Sequence, residues 1–192
     1  MTLTRALHRV SFLILAVIFS LDSQAAAPHS NWKAFIGGAL TTLAVHESSH
    51  YFLAKQYGFD VDFSGPSIVY PNWDPSPQQK MRVSTAGFQG QWIASELAFA
   101  KLEKNPSNTF YRGMVTGHIA ISFAYTVLKE DDTSDIYAIS SVSDLSRNQV
   151  LALLLVPASI DAARLWMKTP PKWLKNVSIA SKGLSIVATW KF

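Results

Sequence analysis

Residues 34–50 read Ala34-Phe35-Ile36-Gly37-Gly38-Ala39-Leu40-Thr41-Thr42-Leu43-Ala44-Val45-His46-Glu47-Ser48-Ser49-His50, an uncharged apolar run that leads directly into an H-E-x-x-H motif. The run predicts a helix that begins near Trp32 and stops before Gly58, a residue type common just after helix ends. Extended to Ala54, this helix would be long enough to cross a bilayer, which takes ~20 residues. Its small residues predict close contact with a second helix: Gly37, Gly38, Ala39 and Ala44.

The H-E-x-x-H motif predicts a zinc site. His46 and His50 are four residues apart and therefore share one face of a helix, where both imidazoles can reach a single zinc ion at ~2.0–2.1 Å. Glu47 would then be the general base that takes a proton from the zinc-activated water as it attacks a peptide carbonyl. Two histidines on a helix face without a metal are the structural alternative, but such groups are costly inside an apolar helix.

The sequence leaves the third ligand open. Catalytic zinc sites keep three protein ligands and one open position, whereas structural sites have four. Asp161 is the first candidate, and Glu96 and His118 are the alternatives, because each lies in an apolar stretch where an ionisable group suggests a site. Asp161 could instead pair with Arg164, Glu96 could pair with a lysine, and His118 could be a core histidine.

The composition limits the possible functions. The chain has 192 residues, of which 48% are hydrophobic and only 16% are charged, below the ~25% usual for soluble domains. These proportions exclude a disordered chain. The absence of cysteine excludes disulfides and thiolate metal sites. The net charge is +4, but the cations are scattered, so we expect no nucleic acid partner.

The start of the chain predicts a targeting segment over residues 1–27. Arg5, His8 and Arg9 precede an apolar run from Val10 to Leu21, and small residues follow it. This order is typical of a signal peptide, although an uncleaved membrane anchor has the same features. Both interpretations imply export into a bacterial cell envelope. A helical domain would occupy residues 28–169.

The remaining chain predicts a mainly α fold, a membrane-embedded bundle of about four apolar helices. The apolar stretches are Trp32–Tyr57, Val83–Ala100, Gly113–Leu128 and Gln149–Met167. A short β-like segment is expected over residues 58–72, and a polar loop over residues 129–147. Pro170-Pro171 would end the last helix, and the alternation from Val177 to Phe192 around Lys182-Gly183 predicts a β-hairpin in the tail, residues 170–192.

Three sequence blocks resemble the site-2 protease family of intramembrane zinc metalloproteases. The first runs from His46-Glu47-Ser48-Ser49-His50 to Phe63-Ser64-Gly65-Pro66, the second is Ala86-Gly87-Phe88-Gln89-Gly90-Gln91, and the third is Pro157-Ala158-Ser159-Ile160-Asp161-Ala162-Ala163-Arg164. They occur in the family's order. The resemblance implies that Asp161 is the third zinc ligand and that the protein is an inner-membrane enzyme.

Three functions follow as expectations. The first is a Zn2+ metalloendopeptidase that cleaves a peptide or membrane-protein substrate within or close to a bilayer, in contact with membrane lipid, and that uses the 58–82 segment to pair with the substrate strand. The second is an exported soluble or peripheral zinc peptidase with Glu96 as third ligand. The third is a non-catalytic envelope protein with a closed metal site, for instance with His118 as a further ligand.

Overall fold

The computed structural model describes residues 31–64, 67–127 and 134–190. These residues form a mainly helical fold. The helices are α1 Trp32–Gln56, α2 Pro77–Leu102, α3 Thr109–Ala124, α4 Asp135–Ser141, α5 Arg147–Trp166 and α6 Trp173–Trp190. Strands β1 Asp62–Ser64 and β2 Ser67–Val69 form an antiparallel hairpin in which Phe63 pairs with Ile68. The targeting segment predicted for residues 1–27 lies outside the described residues.

The four helices expected from the apolar stretches correspond to α1, α2, α3 and α5. Each begins after a residue whose side chain caps the helix N-terminus. The Asn31 side chain caps α1 by accepting a hydrogen bond from Ala34 N at 3.2 Å. Ser76 and Ser146 begin α2 and α5 with capping boxes, which satisfy otherwise unpaired amides at a helix start. Helix α1 ends at Gln56, and the chain turns away at Gly58, whose φ of +80° is strained for residues with a side chain.

Glycines bring α1 and α3 into close contact. A Cβ atom on Gly38 would lie 2.0 Å from the Phe110 carbonyl oxygen, and one on Gly113 would lie 2.0 Å from that of Phe35. The close approach lets the Thr42 hydroxyl donate a hydrogen bond to Met114 O at 2.8 Å. Helix α1, which carries the H-E-x-x-H motif, therefore has a fixed position against α3. Gly37, also predicted to lie in a helix contact, has no neighbour within 4 Å of such a Cβ.

The predicted C-terminal hairpin is wrong, because residues 173–190 form helix α6. The buried positions follow helical spacing and are mostly polar: Leu174, Ser178, Lys182, Ser185 and Thr189. The outward positions carry the larger apolar side chains, and Leu184 is 69% exposed. The polar loop expected over residues 129–147 also needs correction, since it contains helix α4.

Several other helices place apolar side chains outward. Leu40 and Phe52 of α1, Ile93 and Leu97 of α2, and Val156 of α5 are all exposed. Among the described residues, only Arg147–Trp166 is long and apolar enough to cross a membrane by length and composition. The bundle is therefore confirmed as helical, and its membrane embedding stays a prediction.

Candidate metal site

His46 and His50 lie side by side and are buried, with their ring planes at 76° to each other. The Nδ1 atom of His50 donates a hydrogen bond to Val83 O at 2.7 Å, and His46 Nδ1 is 3.1 Å from Gln91 Oε1. Gln91 is itself held by Ser122. Partners on Nδ1 fix each ring and leave Nε2 free to bind a metal, as is usual for histidine ligands. The two Nε2 atoms are 3.2 Å apart.

Asp135, the first residue of α4, completes a group of three potential ligands. Its Oδ2 atom lies 3.5 Å from His46 Nε2 and 3.4 Å from His50 Nε2. The Tyr125 hydroxyl donates a hydrogen bond to the same Oδ2 atom at 2.6 Å and so orients the carboxylate. Within the described part of the chain, these residues are the cluster that could hold a metal ion.

The dimensions of this triangle fit a metal ion. Ligand atoms about 2.0–2.2 Å from a tetrahedral zinc lie about 3.3–3.6 Å from one another, and the three sides measure 3.2, 3.4 and 3.5 Å. Gly87 of α2 leaves room at the same place. A Cβ atom there would lie 2.3 Å from His50 Nε2 and 2.7 Å from His46 Nε2. The space beside both ligand atoms therefore depends on a residue without a side chain.

Burial and nearby charges set the protonation states of Asp135 and Tyr125. Burial would raise the pKa of Asp135, but the charge of His50 and the hydrogen bonds to both histidines hold that pKa well below its usual range. Burial, together with the negative charge of Asp135, raises the pKa of Tyr125 well above its ordinary value. Asp135 is therefore an ionised carboxylate and Tyr125 a neutral hydroxyl, which is the state required of a ligand and its hydrogen-bond donor.

Glu47 lies beside an apolar cavity. The cavity has a volume of about 470 Å³ and is lined by Leu40, Leu43, Ala44, Glu47, Ser48, Tyr51, Phe52, Phe63 and Ile68. Ile68 of β2 donates its backbone N–H to Glu47 Oε2 at 3.3 Å. The hairpin is thus attached to the motif helix through the predicted general base, and a strand edge lies next to the site.

Asp161, predicted as third ligand, lies in a different cluster. Its Oδ1 atom accepts hydrogen bonds from Arg164 at 2.9 Å and Ser178 at 2.6 Å, and its Oδ2 atom accepts one from Lys182 at 2.6 Å. Asp135, and not Asp161, lies beside the two histidines. Both oxygens of Asp161 are engaged by groups from α5 and α6, so the ligand set implied by the site-2 protease resemblance does not carry over at this position.

The alternative ligands Glu96 and His118 belong to the Asp161 cluster as well. Glu96 accepts hydrogen bonds from Arg164 at 2.6 Å and from Lys182 at 2.5 Å. His118 Nε2 lies 3.4 Å from Asp161 Oδ2, and neither ring nitrogen makes a hydrogen bond to another described residue. The structure does not bring either residue to the metal group.

Asp135 and Tyr125 could not be found from the sequence. An ionisable residue signals a site when it lies in an apolar stretch, but Asp135 lies in a Ser-rich polar segment, and a tyrosine at a helix end is unremarkable. The packing of α2, α3 and α4 brings both to the histidines.

No family model, curated protein or solved structure matches the chain.

Proposed function

We propose that the protein is a zinc-dependent endopeptidase, with His46, His50 and Asp135 as ligands and Glu47 as general base. The observation that carries this proposal is the H-E-x-x-H helix with a third, ionised ligand at tetrahedral spacing. A zinc ion held there would supply Lewis-acid chemistry and lower the pKa of a water molecule. Three ligands within the described chain match a catalytic site better than a closed structural one.

The side chains around the metal group would transfer the proton, orient the ligands and donate hydrogen bonds. Glu47 accepts a proton from the attacking water and passes it to the leaving amine. Tyr125 holds Asp135 in place through its hydrogen bond. Burial, followed by the charges of Asp135 and Glu47, raises the pKa of Tyr70, so its hydroxyl stays protonated and can donate a hydrogen bond near the site.

The apolar cavity and the hairpin suggest the substrate. A cavity of about 470 Å³ with leucine and phenylalanine walls accepts a large apolar side chain next to Glu47. An extended peptide could pair with the edge of the β1–β2 hairpin and so enter the site as a strand. We therefore propose an apolar peptide or membrane-protein segment as substrate.

The exposed apolar side chains support the proposal that the enzyme acts within or close to a bilayer. Helix α6 buries Ser178, Lys182 and Ser185 and exposes Leu184 and Val187, the reverse of a helix on a soluble protein. Such an arrangement suits a lipid environment, where polar groups face the protein interior. A bacterial inner membrane remains the proposed location.

The decisive experiment compares the purified full chain with Glu47→Gln on quenched fluorescent peptides that have apolar residues around the scissile bond. We expect zinc to stay bound in the variant while cleavage falls at least ~100-fold, because the proton acceptor is lost. Glu103→Gln, which changes an exposed glutamate, is the control and should retain activity. Full cleavage by Glu47→Gln, or cleavage that survives removal of the metal, would refute the proposal.

A further inference from the structure

A second cavity lies at the end of the bundle where α2 and α5 end and where α3 and α6 begin. Its volume is about 930 Å³. Arg112, Lys168, Lys172 and Lys175 contribute to its lining, and Glu103 is the one carboxylate in it. We infer that this basic cavity binds the headgroup of an anionic phospholipid, independently of the peptidase proposal.

Most of the positive charge in the basic cavity is uncompensated. Lys175 pairs with Glu103 at 2.7 Å. Arg112, Lys168 and Lys172 have no ion pair with any described carboxylate, so the cavity carries a surplus of positive charge. A phosphate group satisfies such a cluster through charge-assisted hydrogen bonds, and an arginine adds a bidentate contact.

The apolar part of the lining distinguishes a lipid from a free phosphate. Phe99 and Leu165 lie in the core behind the cavity, and the more accessible Trp166, Met167 and Pro170 form its apolar walls beside the cations. A soluble phosphate compound would leave these walls without a partner, whereas the glycerol backbone and first methylenes of a lipid would cover them. Exposed Trp173, at the start of α6, adds the amphipathic aromatic group typical of a membrane–water interface.

The charge of the surrounding surface agrees with this assignment. Further cations lie at the same end of the bundle: Lys33 in the first turn of α1, Lys101 in the last turn of α2, and Lys104 just beyond it. The opposite end carries most of the described aspartates, namely Asp60, Asp62, Asp74, Asp135 and Asp144. Basic residues next to apolar helices attract anionic lipid headgroups.

The test uses the detergent-solubilised full chain, titrated with phosphatidylglycerol or phosphatidylcholine and followed by native mass spectrometry. We expect phosphatidylglycerol to bind in preference. Lys168→Gln combined with Lys172→Gln should weaken this binding about 30-fold, because two cations near an anionic lipid are lost. Both lysines are exposed, so the double variant should fold.

The matched control is Lys55→Gln combined with Lys80→Gln, which removes the same charge at the opposite end and should leave lipid binding unchanged. Equal binding of the two lipids, or equal losses in the two double variants, would overturn the inference. Displacement of the lipid by glycerol phosphate would assign the cavity to a soluble phosphate compound instead. Displacement of the lipid by a short single-stranded RNA would assign the basic cavity to nucleic acid and would also overturn the inference.

Discussion

At the residue scale, the sequence predicts the part of the metal site that lies on one helix. His46, Glu47 and His50 are close in sequence, and helical periodicity alone places both histidines on one face. Asp135 is distant in sequence and reaches the histidines only through the packing of α2, α3 and α4. The third ligand therefore depends on tertiary contacts, which no local pattern in this chain encodes.

Gly87 gives a prediction at the same scale. In Gly87→Ala, a new methyl group would displace the His46 and His50 rings from their positions beside it. We expect zinc affinity to fall at least ~10-fold, as it does when the support of metal ligands is disturbed. Competition with a chromogenic chelator measures the affinity.

Gly37→Ala is the matched control for this change. Gly37 lies in α1, and a Cβ atom there meets nothing within 4 Å. The Gly37→Ala variant should therefore bind zinc with the same affinity as the unchanged protein. If Gly87→Ala also binds zinc with full affinity, the metal does not occupy the space that we assign to it.

At the element scale, α6 shows why an alternation of residue types misleads. Apolar and small residues alternate near the end of the chain, as in a strand, but the buried positions of α6 recur with helical spacing. Those positions hold serine, threonine and lysine, so a search for an apolar stripe does not detect them. Helices α1, α2, α3 and α5 were predictable because their apolar stretches are long.

Lys182 joins α6 to α2 and α5, and its removal should destabilise the bundle. It is 4% exposed and contacts Ser95, Glu96 and Asp161. In Lys182→Ala, the buried carboxylate of Asp161 loses a partner, and we expect a loss of roughly 3–5 kcal/mol in the free energy of unfolding. Denaturant titration in detergent measures this value.

Lys175→Ala, in the same helix as Lys182, is the control, because it breaks an exposed ion pair with Glu103 at the end of α2. Such exposed pairs contribute only about 0–1 kcal/mol. Equal losses in both variants would mean that the buried cluster does not hold α6 in place.

At the scale of the whole molecule, the helical fold class is the confirmed part of the sequence prediction. Membrane embedding and kinship with the site-2 proteases stay predictions. The polar groups that face inward and the leucines that face outward agree with a lipid environment. Within the part of the chain that the structure describes, α5 is the one helix that meets the length and composition requirements for a span, and 39% of its apolar window is buried.

Alkaline carbonate extraction tests the membrane placement. We expect the full chain to stay with the sedimented membranes, because outward side chains such as Leu184 and Ile93 need an apolar surrounding. A peripheral protein held by charge would be released under these conditions. Recovery of the chain in the soluble fraction would favour the exported soluble peptidase expected as the second function.

We propose that Asp135, and not Asp161, completes the metal site. The most direct measurement is the zinc content per folded molecule of the full chain, of Asp135→Asn and of Asp161→Asn, with folding checked by circular dichroism. We predict near-stoichiometric zinc in the unchanged protein and in Asp161→Asn, and a sharp loss in Asp135→Asn. Zinc lost from Asp161→Asn and kept by Asp135→Asn would contradict the account.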